Sequence, residues 1–153
     1  MVPFPLRRAT SADAGTVRAL TRLAYAKWVP LIGREPKPMT ADYRRAIIEH
    51  IVDLYEHDGQ LCALIELIPM SDHLLIENIV VHPDHHGEGL GDKLLEHAEQ
   101  QAHSLGLNEI RLYTNAAFAS NLAFYAKRGY TEYERETFAP GVVAVHMYKA
   151  IVL

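Results

Sequence analysis

Gly87, Gly89 and Gly91 stand at alternate positions between two apolar segments. Before them an apolar run, Ile79-Val80-Val81, stops at His82-Pro83; after them a helical stripe opens at Leu90. A glycine-rich turn from a strand into a helix presents unpaired backbone N–H groups, and the helix dipole adds partial positive charge at the same point. That combination grips an anion, a phosphate or pyrophosphate above all. His86, Gly87, Glu88, Gly89, Leu90 and Gly91 are its candidate residues. Two other phosphate loops do not fit. A dinucleotide fingerprint, G-x-G-x-x-G, needs a glycine at 92, where Asp92 stands. A Walker loop needs Gly-Lys followed by Ser or Thr, and no Gly-Lys pair occurs in the chain.

A second group lies downstream. Leu112-Tyr113-Thr114-Asn115 is followed by Asn121-Leu122-Ala123-Phe124-Tyr125-Ala126-Lys127-Arg128-Gly129-Tyr130. The glycine loop, with His86 first, Gly89 fourth and Gly91 sixth, resembles the Q/R-x-x-G-x-G/A pyrophosphate loop of the GNAT superfamily of N-acetyltransferases. Val81-His82-Pro83 matches the V-x-P that precedes it, and Phe124 to Tyr130 resembles that superfamily's F-Y-x-K/R-x-G-F/Y helix end. The resemblance covers residues 74 to 148, and the first helices more loosely. It is closest to small single-domain members of unassigned substrate. One position departs from the pattern: His86 stands where Gln or Arg is usual; an imidazole can still donate to a phosphate and the backbone N–H groups do most of the anion holding, so the substitution is expected to be tolerated.

The resemblance implies acetyl-CoA as co-substrate and no metal. It implies that Tyr125 lies beside the cofactor sulfur as general acid. Asn121, with Asn115 as second choice, and Phe124 are the implied cofactor contacts. It also implies that the strand ending at Val81 splays from its parallel neighbour. The pantetheine arm would pair with the main chain of Ile79, Val80 and Val81 in that gap, where an N–H also stabilises the oxyanion. Homodimers are common in the superfamily.

The residue types suit this chemistry. Attack of an amine on a thioester gives a tetrahedral oxyanion whose collapse expels a thiolate. A phenol can protonate that thiolate, since the reference side-chain pKa values are about 10 and about 8.5. The amine must first lose a proton. Glu77 is the one carboxylate between Leu74 and Val81, and a charge in an apolar strand is costly unless it is paired or faces a cleft. Glu77 is therefore the candidate base, with a salt-bridged or edge-facing glutamate as the alternative. Tyr25, Trp28, Leu31, the loop to Met39 and Phe138 are candidates for the acceptor wall.

Composition narrows the classes further. A net charge of -4 over 153 residues gives no basic surplus, which disfavours nucleic acid as a partner. No apolar stretch is long enough to span a bilayer, and Met1 to Arg8 has no apolar signal core. The single cysteine, Cys62, precludes an internal disulfide and fits a reducing, cytoplasmic compartment. It lies in Leu61-Cys62-Ala63-Leu64-Ile65 and reads as a buried hydrophobe. His82, His85 and His86 invite a metal reading, but no matching Cys/His group with ligand spacing exists elsewhere. A non-catalytic acyl-CoA-binding or sensor module and an ATP-binding protein are the rival functions. The former gives no role to Tyr125; the latter lacks a lysine directly after the glycines and an evident Mg²⁺ ligand. The acceptor is expected to be a small-molecule or peptide amine.

The elements that must position these residues follow from periodicity. Residues 9 to 28 read as a first helix, with Val17, Leu20, Leu23 and Ala24 at helical spacing. Val29 to Met39, with three prolines and Gly33, reads as a loop, and Thr40 caps a second helix through Ile51. Asp58-Gly59 marks a hairpin between a strand near Asp53 to Glu56 and its return over Gln60 to Ile68. A strand from His73 to Val81, a helix from Gly89 to Leu105 and a strand from Glu109 to Tyr113 form a right-handed parallel unit. A helix from Ala119 to Arg128 and strands near Thr131 to Glu136 and Val142 to Lys149 complete one domain, residues 1–153. The fold class is α+β: a mixed, mostly antiparallel sheet of six to seven strands with a central parallel pair, flanked by about four helices.

Overall fold

Leu64 at the middle of the third strand packs into one apolar cluster, and its neighbours Ala63 and Ile65 pack into another. Successive strand residues point to opposite faces, so the sheet is covered on both sides. The computed structural model describes residues 4–152; Met1–Pro3 and Leu153, the ends of the expected domain, lie outside the described residues. Seven strands are described: β1 (Leu6–Arg8), β2 (Ile51–His57), β3 (Gln60–Pro69), β4 (Leu74–Val81), β5 (Glu109–Asn115), β6 (Thr131–Ala139) and β7 (Val142–Ala150). Their order is β1-β2-β3-β4-β5-β7-β6, with β4 and β5 the parallel pair.

Helices α1 (Ala14–Tyr25), α2 (Val29–Ile32), α3 (Lys37–Thr40) and α4 (Tyr43–Glu49) precede the second strand. Val17 and Leu20 of α1 and Ala46 and Ile47 of α4 pack on Val52, Leu54, Leu64 and Val80. On the other face α5 (Leu90–Ser104) lays Leu94, Leu95, Ala98 and Ala102 over Ala63, Ile65, Ile76 and Ile110. α6 (Ala119–Lys127) adds Tyr125 to the same cluster. Fully burying one such aliphatic side chain contributes about 1.5–3 kcal/mol, so these two layers carry the fold.

Several expected boundaries differ. Val29 to Met39 is not all loop: Pro30 and Pro38 sit in the first turns of α2 and α3, where proline's missing N–H costs nothing. The second helix is capped by Asp42, whose side chain accepts from the Arg45 N–H, and not by Thr40. It stops at Glu49, and Ile51 opens β2 instead, paired with Leu67. The first helix is a 3-10 turn, an α-helix and a second 3-10 turn in succession. β1 was not expected. Three residues with two arginines show no alternation, and pairing with Asp53, Leu54 and Tyr55 makes them a strand.

Asp53 is buried and joins three elements. Its Oδ1 accepts from Arg8 Nε at 2.6 Å, and its Oδ2 pairs with His97 Nε2 of α5 at 2.7 Å. Burial alone would push its carboxyl up; the hydrogen bonds from His97 and Arg8 outweigh burial and hold it below the ordinary range. A carboxyl depressed on folding adds stability above its unfolded pKa of about 3.9, and that stability is lost as pH falls through the folded value. Asp53→Asn is therefore expected to cost about 1–3 kcal/mol at neutral pH. Thermal melts should show the gap to wild type wide above about pH 5 and shrinking below about pH 4.

Candidate active site

Two register features of β4 create the site. The parallel pairing with β5 runs only through Leu74–Ile110, Leu75–Arg111 and Ile76–Leu112. Beyond Ile76 the edge of β4 facing β5 is unpaired, although β3 accompanies the strand as far as Val81. The ladder with β3 also slips, from Glu66–Asn78 to Leu67–Ile76, which leaves Glu77 as an extra, bulged residue. The splay and the bulge coincide, so Glu77 is delivered into the gap.

A groove of ≈ 590 Å³ runs along the open edge. Ile79, Val80 and Val81 form one wall, and Gly87, Gly89, Leu90 and Gly91 close its far end. Asn121, Phe124 and Tyr125 of α6 form the other wall. Gly87 and Gly89 take φ of 82° and 80°, a left-handed backbone that other residues adopt only with strain, and Gly89 caps α5. The first N–H groups of α5 have no partner inside the helix. An open peptide edge at one end and a helix N-terminus at the other fit an extended, amide-bearing ligand with phosphate at its far end.

Two residues of the loop hold the loop itself. His86 Nε2–H donates to the Val81 carbonyl at 3.0 Å, so its ring folds back on the strand end. Glu88 does not line the groove; its carboxylate accepts from His85 Nδ1 at 3.1 Å, and His85 Nε2 meets Cys62 Sγ at 3.5 Å. Burial pushes the Cys62 thiol up, consistent with an inert core residue. Asp92, the residue that breaks the dinucleotide spacing, forms an ion pair with Arg128 at the end of α6. The Arg128 guanidinium lies 3.7 Å from the Phe124 ring centroid. Phe124 is thus wedged between Arg128 and Gly91, where an added Cβ would stand 2.8 Å from Cζ. Gly91→Ala is expected to push that ring toward the groove and weaken coenzyme A binding about tenfold, roughly 1.4 kcal/mol by calorimetry.

A second cavity of ≈ 730 Å³ opens on the opposite side of Glu77. Its wall includes Tyr25, residues Arg34 to Pro38, Phe118 and Phe138. Of the expected acceptor wall, Trp28 faces the groove instead and stacks on Phe118 at 4.2 Å, and Leu31 is exposed outside both cavities. Asn115 lies on this side as well, and not in the groove; its Oδ1 accepts from the Ala117 N–H and closes the turn into α6. Asn121 is the asparagine that lines the groove.

Tyr25, Glu77, Asn78, Tyr113 and Thr114 line both cavities. Glu77 Oε1 accepts from the Tyr113 hydroxyl at 3.0 Å, and Lys37 Nζ lies 3.8 Å from the same oxygen. Tyr25 donates to Asn78 Oδ1 at 2.9 Å, Asn78 to the Tyr43 hydroxyl at 3.3 Å, and Tyr43 to the Pro38 carbonyl at 2.5 Å. Burial pushes the Tyr113 phenol up, with the Glu77 charge adding to it, and burial does the same for Tyr25 and Tyr125. These phenols stay protonated through the neutral range. Deeper still, buried Glu66 pairs with His50 Nδ1 at 2.7 Å; burial raises its carboxyl and His50 opposes the shift. Tyr113 and Asn78 carry no role in the sequence reading, and Lys37 enters it only as part of the loop to Met39. The polar pair Glu77-Asn78 in an apolar strand was the available signal for the second; only the β4–β5 register reveals the first. Among the described residues no group of three or more His, Cys, Asp or Glu is placed to hold a metal ion.

Fold and site together are those of an acyl-CoA-dependent transferase scaffold, and the chain belongs to the acetyltransferase (GNAT) family, whose profile matches residues 17–130. It is 26% identical over 149 residues to an amino-acid acetyltransferase of Serratia proteamaculans, an alignment covering 94% of this chain. The chain spans 31% of that relative's length. Its fold is similar to that of a PaiA N-acetyltransferase from Thermoplasma acidophilum solved with coenzyme A (TM-score 0.80, 18% identity, 95% of this chain and 98% of that one). It is also similar to the ribosomal-protein-S18-alanine N-acetyltransferase of Escherichia coli (TM-score 0.73, 19% identity, 97% and 94%). No described helix is long and apolar enough to cross a membrane.

Proposed function

We propose that this chain is a single-domain, cytoplasmic N-acetyltransferase that moves an acetyl group from acetyl-CoA to a primary amine by direct attack. The observation that carries the reading is the meeting of two cavities at one carboxylate, Glu77, through the gap between β4 and β5. The groove is the cofactor side. Its glycine-loop N–H groups would hold the pyrophosphate, and the open main chain of Ile79, Val80 and Val81 would hold the pantetheine amides. The larger cavity is the acceptor side. Glu77 takes the proton of the incoming ammonium, Tyr113 orients that carboxylate, and Tyr125 supplies a proton to the departing thiolate. Much of the rate comes from holding two reactants on either side of one gap. Aromatic walls and the Glu66 and Glu77 carboxylates favour a small, soluble, cationic amine. The amino acid and the protein N-terminal alanine in the relatives' names are two acceptors to include in a screen.

Calorimetry with coenzyme A, acetyl-CoA and ATP, followed by an amine screen that reads free thiol, tests the proposal. Binding of both coenzyme A species and thiol release with at least one amine is the expected result. ATP binding without coenzyme A binding would overturn it. Coenzyme A binding with no release for any amine would leave the chain a binding module.

A further inference from the structure

Lys37 occupies the place that the proposed function assigns to the attacking amine. Its ammonium lies 3.8 Å from Glu77 Oε1 and 3.5 Å from the Tyr113 hydroxyl, the pair at the junction of the two cavities. The other four lysines, Lys27, Lys93, Lys127 and Lys149, have no such contact with Glu77.

The backbone around Lys37 is tied down on both sides. Arg22 Nη1 binds Glu35 at 2.6 Å and the Met39 carbonyl at 2.9 Å, and the Tyr43 hydroxyl binds the Pro38 carbonyl at 2.5 Å. Pro38 directly after it narrows the backbone conformations open to Lys37, and Pro36 before it fixes its own φ. The side chain itself is largely exposed and bears on its neighbours only through its tip. A pinned backbone with a free four-carbon stem keeps a primary amine at high local concentration beside the base.

We propose that Lys37 is an intramolecular acetyl acceptor, modified in cis by the chain's own active site. The inference rests on the function proposed above. In the step, Glu77 takes a proton from the Lys37 ammonium, the freed lone pair bonds to the acetyl carbonyl carbon, and the second proton of the now cationic nitrogen passes to water. The carbon–sulfur bond breaks, its electron pair leaves with sulfur, and Tyr125 protonates the thiolate before regaining a proton from solvent. Acetyl-CoA and a lysine ammonium thus become acetyl-lysine, free coenzyme A and one proton. The product carries no charge, so the acceptor cavity loses a cation at its entrance and becomes more receptive to cationic amines.

The test is incubation of the full chain with isotope-labelled acetyl-CoA and no added amine, read by intact mass and peptide mapping. The expected result is one acetyl group, on Lys37, gained roughly tenfold or more faster than on any other lysine. Its first-order rate should not change with protein concentration, and Glu77→Gln should remove the preference for Lys37. Any of these results would overturn the inference: an amine supplied in a parallel incubation is acetylated while Lys37 stays unmodified, Lys37 reacts no faster than the other lysines, or its preference survives Glu77→Gln. A rate that rises with protein concentration also overturns it, because transfer then runs between copies. If no coenzyme A binds and no amine is acetylated, the proposed function falls with it.

Discussion

Tyr125→Phe is expected to lower kcat by about 10²- to 10⁴-fold while coenzyme A affinity stays within about threefold. The substitution removes one oxygen from a buried ring. That ring packs edge-on against Phe124 and Tyr130, at centroid distances of 5.3 and 5.8 Å, and phenylalanine keeps both contacts. Stability and the groove are therefore conserved, and the loss falls on proton delivery. Burial holds the phenol protonated beyond the ordinary range, so any alkaline limb belonging to Tyr125 lies above about pH 10. Stopped-flow thiol release with a saturating amine separates the cases. An unchanged kcat would show that solvent, not Tyr125, protonates the thiolate.

Glu77→Gln should lower kcat by about 10²-fold and flatten the acid limb of the pH–rate profile. Glutamine fills the same volume and still accepts from Tyr113 at the bulge, so the fold is spared. What it loses is the capacity to take a proton and the attraction for an ammonium entering from the acceptor cavity. KM for the amine should rise along with the fall in kcat, whereas coenzyme A affinity should not move. Tyr113→Phe gives the intermediate result: the carboxylate remains but loses its 3.0 Å partner, so kcat falls less than in Glu77→Gln. An identical rate and profile in Glu77→Gln would make the residue a structural ion pair with Lys37.

Much of the fold was readable because the local signals agree with one another. Asp58 and Gly59 take φ of 53° and 73°, the turn that an Asp-Gly pair specifies, and the hairpin forms there. The stripe Leu90, Leu94, Leu95, Ala98 and Ala102 is buried along one side of α5 as its period required, whereas Leu105, expected on the same stripe, caps the helix and is exposed. The glycine loop and the Phe124-Tyr125 helix meet across one groove. Errors gathered where tertiary contacts overrule local preference. β1 exists through its partner strand, and the prolines between Val29 and Met39 start two short helices as well as bending the chain.

The site divides in the same way. The glycine loop and the lone strand carboxylate Glu77 stand out by residue type and spacing, and Tyr125 by the resemblance of its helix end; these nominate the candidates for anion grip, base and acid. Sequence spacing says nothing about which side chains meet across a gap. His86 lines the groove as its position suggests, but only the fold shows its Nε2–H donating back to the Val81 carbonyl. Asn115 was a cofactor contact by its motif, yet it faces the acceptor cavity. Tyr113 and Lys37 converge on Glu77 from 36 and 40 residues away along the chain. Their meeting depends on a bulge that turns one residue out of register and on a parallel pair that stops after Ile76. Both are products of strand pairing, which is set by packing between distant segments; residue chemistry is local, and the chain alone carries only that.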